Sequence, residues 1–311
     1  MVEAMRRVTF RNGNIDLAGD LHLPGGFSEE RPYGAIVIVT PGSSVKGQIG
    51  AVYGSRLARE GFVALAFDPS FQGESGGEPR DLEDPAYRIE DVRSAIDYLV
   101  TLPFIDESRI AVLGICAGGG YAVSTSLIEH RVKAVGTVVP VNIGRAFRQA
   151  QPGANSVYDT LAAVGRQRTA EARGEVLRRE PWLPDSLEGA KAAGIEDRDT
   201  LEAVDYYRTP RGQDSNSTNR LLFRSNAALL GYDAFHLVPE LLTQPLQVVV
   251  AGRLGTTFSY QDGKTLWERA RHKETFHVVD GAGHYELYDM PEYVTDAMNR
   301  LAPFYRKHLN A

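Results

Sequence analysis

The sequence predicts an α/β fold: a mostly parallel central sheet with helices on both faces and a helical segment inserted late in the chain. Three observations carry this. Continuous apolar runs such as Ala35-Ile36-Val37-Ile38-Val39 recur without alternation, as strands covered on both faces require. Amphipathic stretches with helical spacing separate those runs, and strand–helix alternation of this kind gives a parallel sheet. The alternation then stops between Asn142 and His236, too long a stretch to be a loop.

The elements follow in order. Val8-Thr9-Phe10, the turn Asn12-Gly13-Asn14 and Ile15 to Leu23 read as an antiparallel hairpin. After the Ala35–Val39 strand, Ala51 to Arg59 is helical in pattern, and Gly61 leads into a second buried strand, Phe62 to Phe67. Asp91 to Val100 is a helix with Val92, Ala95, Ile96 and Leu99 on one face. Arg109 to Leu113 is a strand that breaks into a helix over Gly118 to Ile128, and further strands are expected at Val132–Val139, Leu246–Val250 and Thr275–Val279. The segment 142–236 is rich in Ala, Arg and Glu and interrupted by Pro181, Pro184 and Pro210, so it is read as a helical cap. Residues 1–141 and 237–311 are then the core.

Bulk properties bound the function. The chain has 311 residues, 43% hydrophobic and 24% charged, with a net charge of −6 and no Lys/Arg block. That balance suits a soluble globular protein and argues against nucleic acid or an anionic membrane as the main partner. A single cysteine allows no internal disulfide. Met1 to Phe10 lacks the apolar core of a signal peptide, and no apolar run reaches membrane-spanning length, so a cytoplasmic location is expected.

That one cysteine lies in Gly114-Ile115-Cys116-Ala117-Gly118, where a buried strand turns into a helix. G-x-Nuc-x-G in this setting is a nucleophile elbow carrying sulfur instead of oxygen. A helix N-terminus stabilises negative charge, so Cys116 is expected to favour the thiolate. The loop Thr40-Pro41-Gly42-Ser43-Ser44 after the first central strand is placed to donate one backbone N–H to an oxyanion, from Ser43 or its neighbour Ser44. Ala117 donates the other.

Of seven histidines, His284 in Asp280-Gly281-Ala282-Gly283-His284 directly follows the last strand, where a general base arrives in the order nucleophile, acid, histidine. His277 falls within that strand, and His272 and His308 are expected on helix surfaces. The acid is absent from its usual place: no carboxylate occupies the nine positions after Gly252. Asp262 is the first and is the tentative acid, unless another distant acid folds back to His284; alternatively Thr256, Thr257 or a backbone carbonyl orients the imidazole and leaves a Cys–His pair. Asp68, in the loop after the second central strand, is expected to fix that loop by accepting backbone hydrogen bonds. No metal-ligand spacing or cofactor motif is apparent.

These stretches together resemble the dienelactone-hydrolase-like proteins of the α/β-hydrolase superfamily that are related to fungal polyketide transferases. The resemblance rests on Pro41 to Lys46, Phe67 to Arg80, Leu113 to Tyr121 and Gly281 to His284, and within the cap on Gln167 to Gly174 and Asp205 to Arg211. It implies the α/β-hydrolase fold and a Cys–His site acting on an ester, thioester or lactone through an acyl-enzyme, or transferring a polyketide-type acyl group. Other readings are a non-catalytic ligand-binding protein on the same scaffold and a non-covalent lyase or cyclase using His284 alone. Tyr206, Tyr207 and Arg211 of the cap are candidates for the pocket wall, and Ser44, with Tyr206 and Tyr207, for substrate binding. The expected partner is a small acyl substrate, with a homodimer admitted.

Overall fold

The computed structural model describes residues 4–150 and 156–310. Its strands are β1 (Ala4–Asn12), β2 (Ile15–Leu23), β3 (Tyr33–Val39), β4 (Val63–Phe67), β5 (Ile105–Ile115), β6 (Val132–Val138), β7 (Arg179–Pro181), β8 (Arg220–Leu222), β9 (Leu246–Ala251) and β10 (His277–Val279). Its helices are α1 (Ala51–Arg59), α2 (Pro85–Leu99), α3 (Ala117–Ser126), α4 (Ile143–Gln149), α5 (Ser156–Ala172), α6 (Leu187–Ala192), α7 (Arg198–Arg208), α8 (Ser225–Leu230), α9 (Val238–Leu241), α10 (Ser259–Arg269), α11 (Glu286–Asp289) and α12 (Pro291–Leu309).

Eight strands form one sheet in the order β1-β2-β4-β3-β5-β6-β9-β10. β2 pairs antiparallel with both β1 and β4, and the remaining pairs are parallel. The continuous apolar runs are explained by burial on both faces. In β3, Ala35, Val37 and Val39 pack with α2, α3 and α10, whereas Ile36 and Ile38 pack with α1 and α12. The antiparallel hairpin sits at one edge, and its turn is made by Gly13 in the left-handed region (φ 57°).

α2 begins six residues before the sequence pattern suggests. Asp84 accepts the Ala86 N–H at 2.9 Å as an N-cap, and Pro85 sits in the first turn, where its missing N–H costs nothing. The expected apolar stripe Val92, Ala95, Ile96 and Leu99 is fully buried. His272 is not on a helix but in the loop after α10, because α10 ends at Arg269.

Between β6 and β9 the chain leaves the sheet and builds α4 to α9. The expected all-helical character fails at one point: β7 and β8 pair antiparallel as a small ribbon, Arg179–Pro181 against Arg220–Leu222. Strands of three residues are too short to leave a periodic signature. Among the described residues no helix is long and apolar enough to cross a membrane.

Candidate active site

β5 ends at Ile115 and α3 begins at Ala117, so the whole turn falls on Cys116. Its backbone lies at φ 54°, ψ −125°, a conformation costing an L-residue roughly 1–3 kcal/mol. The surroundings hold it there: Cys116 donates its N–H to Val138 O (3.1 Å) and accepts from the N–H of Gly119 (2.9 Å) and Val141 (2.8 Å). Gly118 is required by close approach, since a Cβ there would overlap the carbonyls of Val39 and Thr40 at the end of β3. The elbow thus presses the start of α3 against the loop that carries Ser43.

The expectation of a thiolate is overturned. Burial pushes the Cys116 thiol up to about 11, against the lowering effects of a hydrogen bond with Tyr288, the Ala117 N–H and the Arg88 guanidinium. Desolvation of a charge in this apolar pocket outweighs a single backbone dipole. The resting sulfur is a neutral thiol, partly exposed to a cavity.

His284 is 2% exposed and held from both sides. Nδ1 hydrogen-bonds Ser259 Oγ at 2.9 Å, and Nε2 hydrogen-bonds the Tyr288 hydroxyl at 3.2 Å. Burial pushes the imidazole down to about 4, with the Asp199 charge acting in the opposite direction. His284 is therefore neutral at pH 7. Tyr288, which also hydrogen-bonds the thiol, stands between Cys116 and His284, and its own pKa is raised by burial.

The structure does not bring Asp262 to His284. Asp262 lies in the first turn of α10, where its carboxylate takes Arg145 Nε (2.7 Å), Arg145 Nη2 (2.6 Å) and the Asn142 N–H (2.8 Å). The residue facing the imidazole is Ser259, one turn earlier at the start of the same helix. Thr256 is also directed elsewhere, its hydroxyl donating to Asp197 at 2.8 Å. Thr257 stays one step from the histidine, its Oγ1 3.5 Å from Ser259 Oγ.

Ser43, Cys116 and Ala117 share the wall of one cavity of about 530 Å³. Ser43 is in the left-handed region (φ 59°), and its carbonyl accepts from Ser217 Oγ at 3.0 Å. Ser44 turns away, its hydroxyl donating to Gln48 Oε1 at 3.1 Å. Tyr207 lines the cavity, and its buried hydroxyl lies beside Ser44. Tyr206 does not line it; it packs edge-on against Tyr288 with ring centroids 5.0 Å apart. Arg211 is spent on Asp289 (2.7 and 3.0 Å), Asp205 (3.0 Å) and the Tyr285 carbonyl (2.8 Å), tying the insertion to α11.

Ile143, Arg145, Trp182, Leu183 and Thr200 bring the segment between β6 and β9 onto the cavity wall, together with Pro41, Gly42 and Val141, and Trp182 lies against Gly42. The lining is mostly apolar and aromatic. Sequence reasoning missed Ser259, Tyr288 and Trp182. Tyr288 was within reach, four residues and so one helical turn past His284; Ser259 was passed over in a search confined to carboxylates.

Asp68 does what its position suggests, accepting the N–H groups of Lys46 (2.7 Å) and Glu74 (2.8 Å). His277 lies in β10 and hydrogen-bonds Asp296 (2.7 Å), and His308 on α12 hydrogen-bonds Glu274 (2.9 Å).

An eight-stranded, mostly parallel sheet with an elbow after β5 and a histidine after the last strand defines a class. Residues 23–297 match the model of the Alpha/beta hydrolase family, and the chain belongs to that family. Among its relatives is the uncharacterized protein YcjY of Escherichia coli (strain K12), 38% identical over 307 residues, which span 97% of this chain and 99% of that one. The crystal structure of PA2218 from Pseudomonas aeruginosa superposes with a TM-score of 0.88 at 32% identity, covering 98% of this chain and 94% of that one. A thiohydrolase of Eupenicillium brefeldianum is 23% identical over 285 residues, 91% of this chain and 90% of that one.

Proposed function

We propose that this protein is a cysteine-nucleophile hydrolase that cleaves a small, largely apolar ester, thioester or lactone through an acyl-enzyme on Cys116. One observation carries the reading: the thiol sits at the elbow on the cavity wall and is linked through the Tyr288 hydroxyl to Nε2 of a neutral, buried His284. A neutral imidazole is ready to accept a proton, and a phenol can accept one from sulfur while passing its own onward.

In the first step the Cys116 proton moves to Tyr288 Oη as the Tyr288 proton moves to His284 Nε2. Sulfur attacks the acyl carbonyl, and the Ala117 and Ser43 N–H groups hold the oxyanion. The imidazolium then returns a proton by the same route to the departing alcohol or thiol, leaving a thioester on Cys116. Water, deprotonated along that chain, attacks the thioester, releases the acid and restores the thiol. An acceptor alcohol in place of water would make the reaction an acyl transfer.

The cavity supports the substrate class. About 530 Å³ of mostly apolar and aromatic wall suits a medium-sized acyl group. In this reading the insertion acts as a cap that excludes water and sets chain length. The name of the thiohydrolase relative agrees with a thioester substrate.

The test is intact mass after incubation with a panel of activated thioesters and esters. The expected result is an adduct of one acyl group that is absent in Cys116→Ala, with turnover reduced at least about 10³-fold. Full turnover by Cys116→Ala would exclude covalent catalysis.

A further inference from the structure

An imidazole that must become a cation inside an apolar site needs a negative charge nearby, and the loop after β9 provides none. The insertion does. α7 points its N-terminal turn at that loop, and Asp199, in this turn, is buried to 6% exposure. Its Oδ2 accepts the Thr257 N–H at 2.9 Å. Gly255 is glycine for the same reason: a Cβ there would overlap the Asp199 carboxylate. The loop so gripped carries Ser259 two residues further on, and Ser259 Oγ is 2.9 Å from His284 Nδ1.

We propose that Asp199 is the positioning acid of this site, supplying from the insertion the charge that steadies the His284 imidazolium through the Gly255–Ser259 loop. The inference rests on His284 being the base proposed above. No proton moves to Asp199; the carboxylate lowers the energy of the charged pair formed when the Cys116 proton reaches His284.

The other groups around His284 do not fill this role. Asp262 is neutralised by Arg145. Arg253 packs against Gly283, but its charge is met by Glu202 (2.6 Å) and Glu286 (2.9 Å). Asp197 is occupied as the N-cap of α7, taking the Thr200 N–H and hydroxyl and the Thr256 hydroxyl. Tyr285 and Tyr288 have pKa values raised by burial, and the Cys116 thiol is likewise pushed up, so these three stay neutral. Asp199 is also the one charge that raises the His284 pKa against its burial. Because Thr200 and Tyr207 on the cavity wall belong to the same helix, the strength of the base becomes tied to how α7 is seated.

The experiment compares Asp199→Asn with Asp197→Asn in the full chain. Three readouts are followed: the acid limb of kcat/KM and the split between kcat and KM for an activated thioester, and the rate of Cys116 alkylation by iodoacetamide at pH 7. Asn keeps the acceptor for the Thr257 N–H and removes only the charge. Asp199→Asn is expected to slow alkylation about tenfold, lower kcat with KM little changed and move the acid limb to lower pH. Asp199→Glu should recover part of each, and Asp197→Asn should leave all three near wild type. If Asp199→Asn unfolds, Gly255→Ala displaces the carboxylate with the charge retained and should give the same slowing. Equal effects in Asp197→Asn and Asp199→Asn, or an unmoved acid limb and alkylation rate, would overturn the proposal. Alkylation needs no substrate, so a wild-type protein that no ester acylates would refute the acyl-enzyme reading while still reporting on Asp199.

Discussion

Two polar clusters built around buried side chains stand on loops at the carboxyl ends of the parallel strands, and they handle burial in opposite ways. In the first, Lys46 after β3 meets Asp68 after β4 at 2.8 Å and Glu74 at 2.5 Å, all as charges. Burial alone would lower the Lys46 pKa, but its hydrogen bonds to Asp68 and Glu74 raise it, and the same contact lowers Glu74. In the second, Cys116 and His284 are both pushed toward their neutral forms, to about 11 and about 4, with only a phenol between them. A fully partnered ion pair fixes two loops. An under-partnered neutral pair holds no charge at rest, and in the reaction proposed above would create one only when an acyl carbonyl arrives. The contrast in partnering separates the ion-paired cluster from the neutral one more sharply than burial does.

The largest expected effect lies in the scaffold. Asp68→Ala leaves the Lys46 ammonium buried beside Glu74 alone and should cost about 3 kcal/mol in urea unfolding, whereas Cys116→Ala should change stability by less than about 1 kcal/mol. Comparable losses in the two variants would erase the distinction.

The next effect is an acid dependence of the neutral cluster. Above pH 7 His284 is unprotonated in both folded and unfolded chains. Below about 6.5 the unfolded chain binds the proton first, because the folded pKa is only about 4. Stability should therefore fall with pH through that window, by about 2 kcal/mol at pH 5 relative to pH 7 from this group, and level off below about 4. Urea midpoints of wild type and His284→Gln at the two pH values measure it; an identical pH dependence in both would show that His284 is not held neutral.

The smallest effect tests the link itself. Tyr288→Phe keeps the ring packing against Tyr206 and removes the hydroxyl, and should lower kcat/KM about 10- to 100-fold with little change in KM. Single-turnover acylation at wild-type rate would mean that Cys116 and His284 exchange the proton without Tyr288.

What could be read from sequence was local. Gly114, Cys116 and Gly118 report a turn whose sterics involve a handful of consecutive residues, and the glycine-rich approach to His284 does the same. Strand limits were legible to within a few residues wherever both faces are covered, as in β3 and β4. The β7–β8 ribbon was not, since three-residue strands carry no period. Ser259 was hidden because a hydroxyl occupies a place where a carboxylate was sought, and Asp262 drew attention only as the first acid past Gly252. Asp199 lies 85 residues before His284 in an insertion with its own helical pattern, so nothing in its neighbourhood points to the histidine.

The sequence by itself determined the layered sheet, the elbow with its single sulfur and the histidine after the last strand, because each is written in adjacent residues. Tertiary structure alone decided three things: that the sulfur rests as a thiol, that a tyrosine joins it to the histidine, and that the carboxylate whose charge acts on His284, Asp199, lies between β6 and β9. Charge state depends on solvent exclusion, and exclusion is set by packing among segments far apart in the chain. A helix N-terminus predicts a thiolate; a dry wall of tyrosines around it reverses the sign.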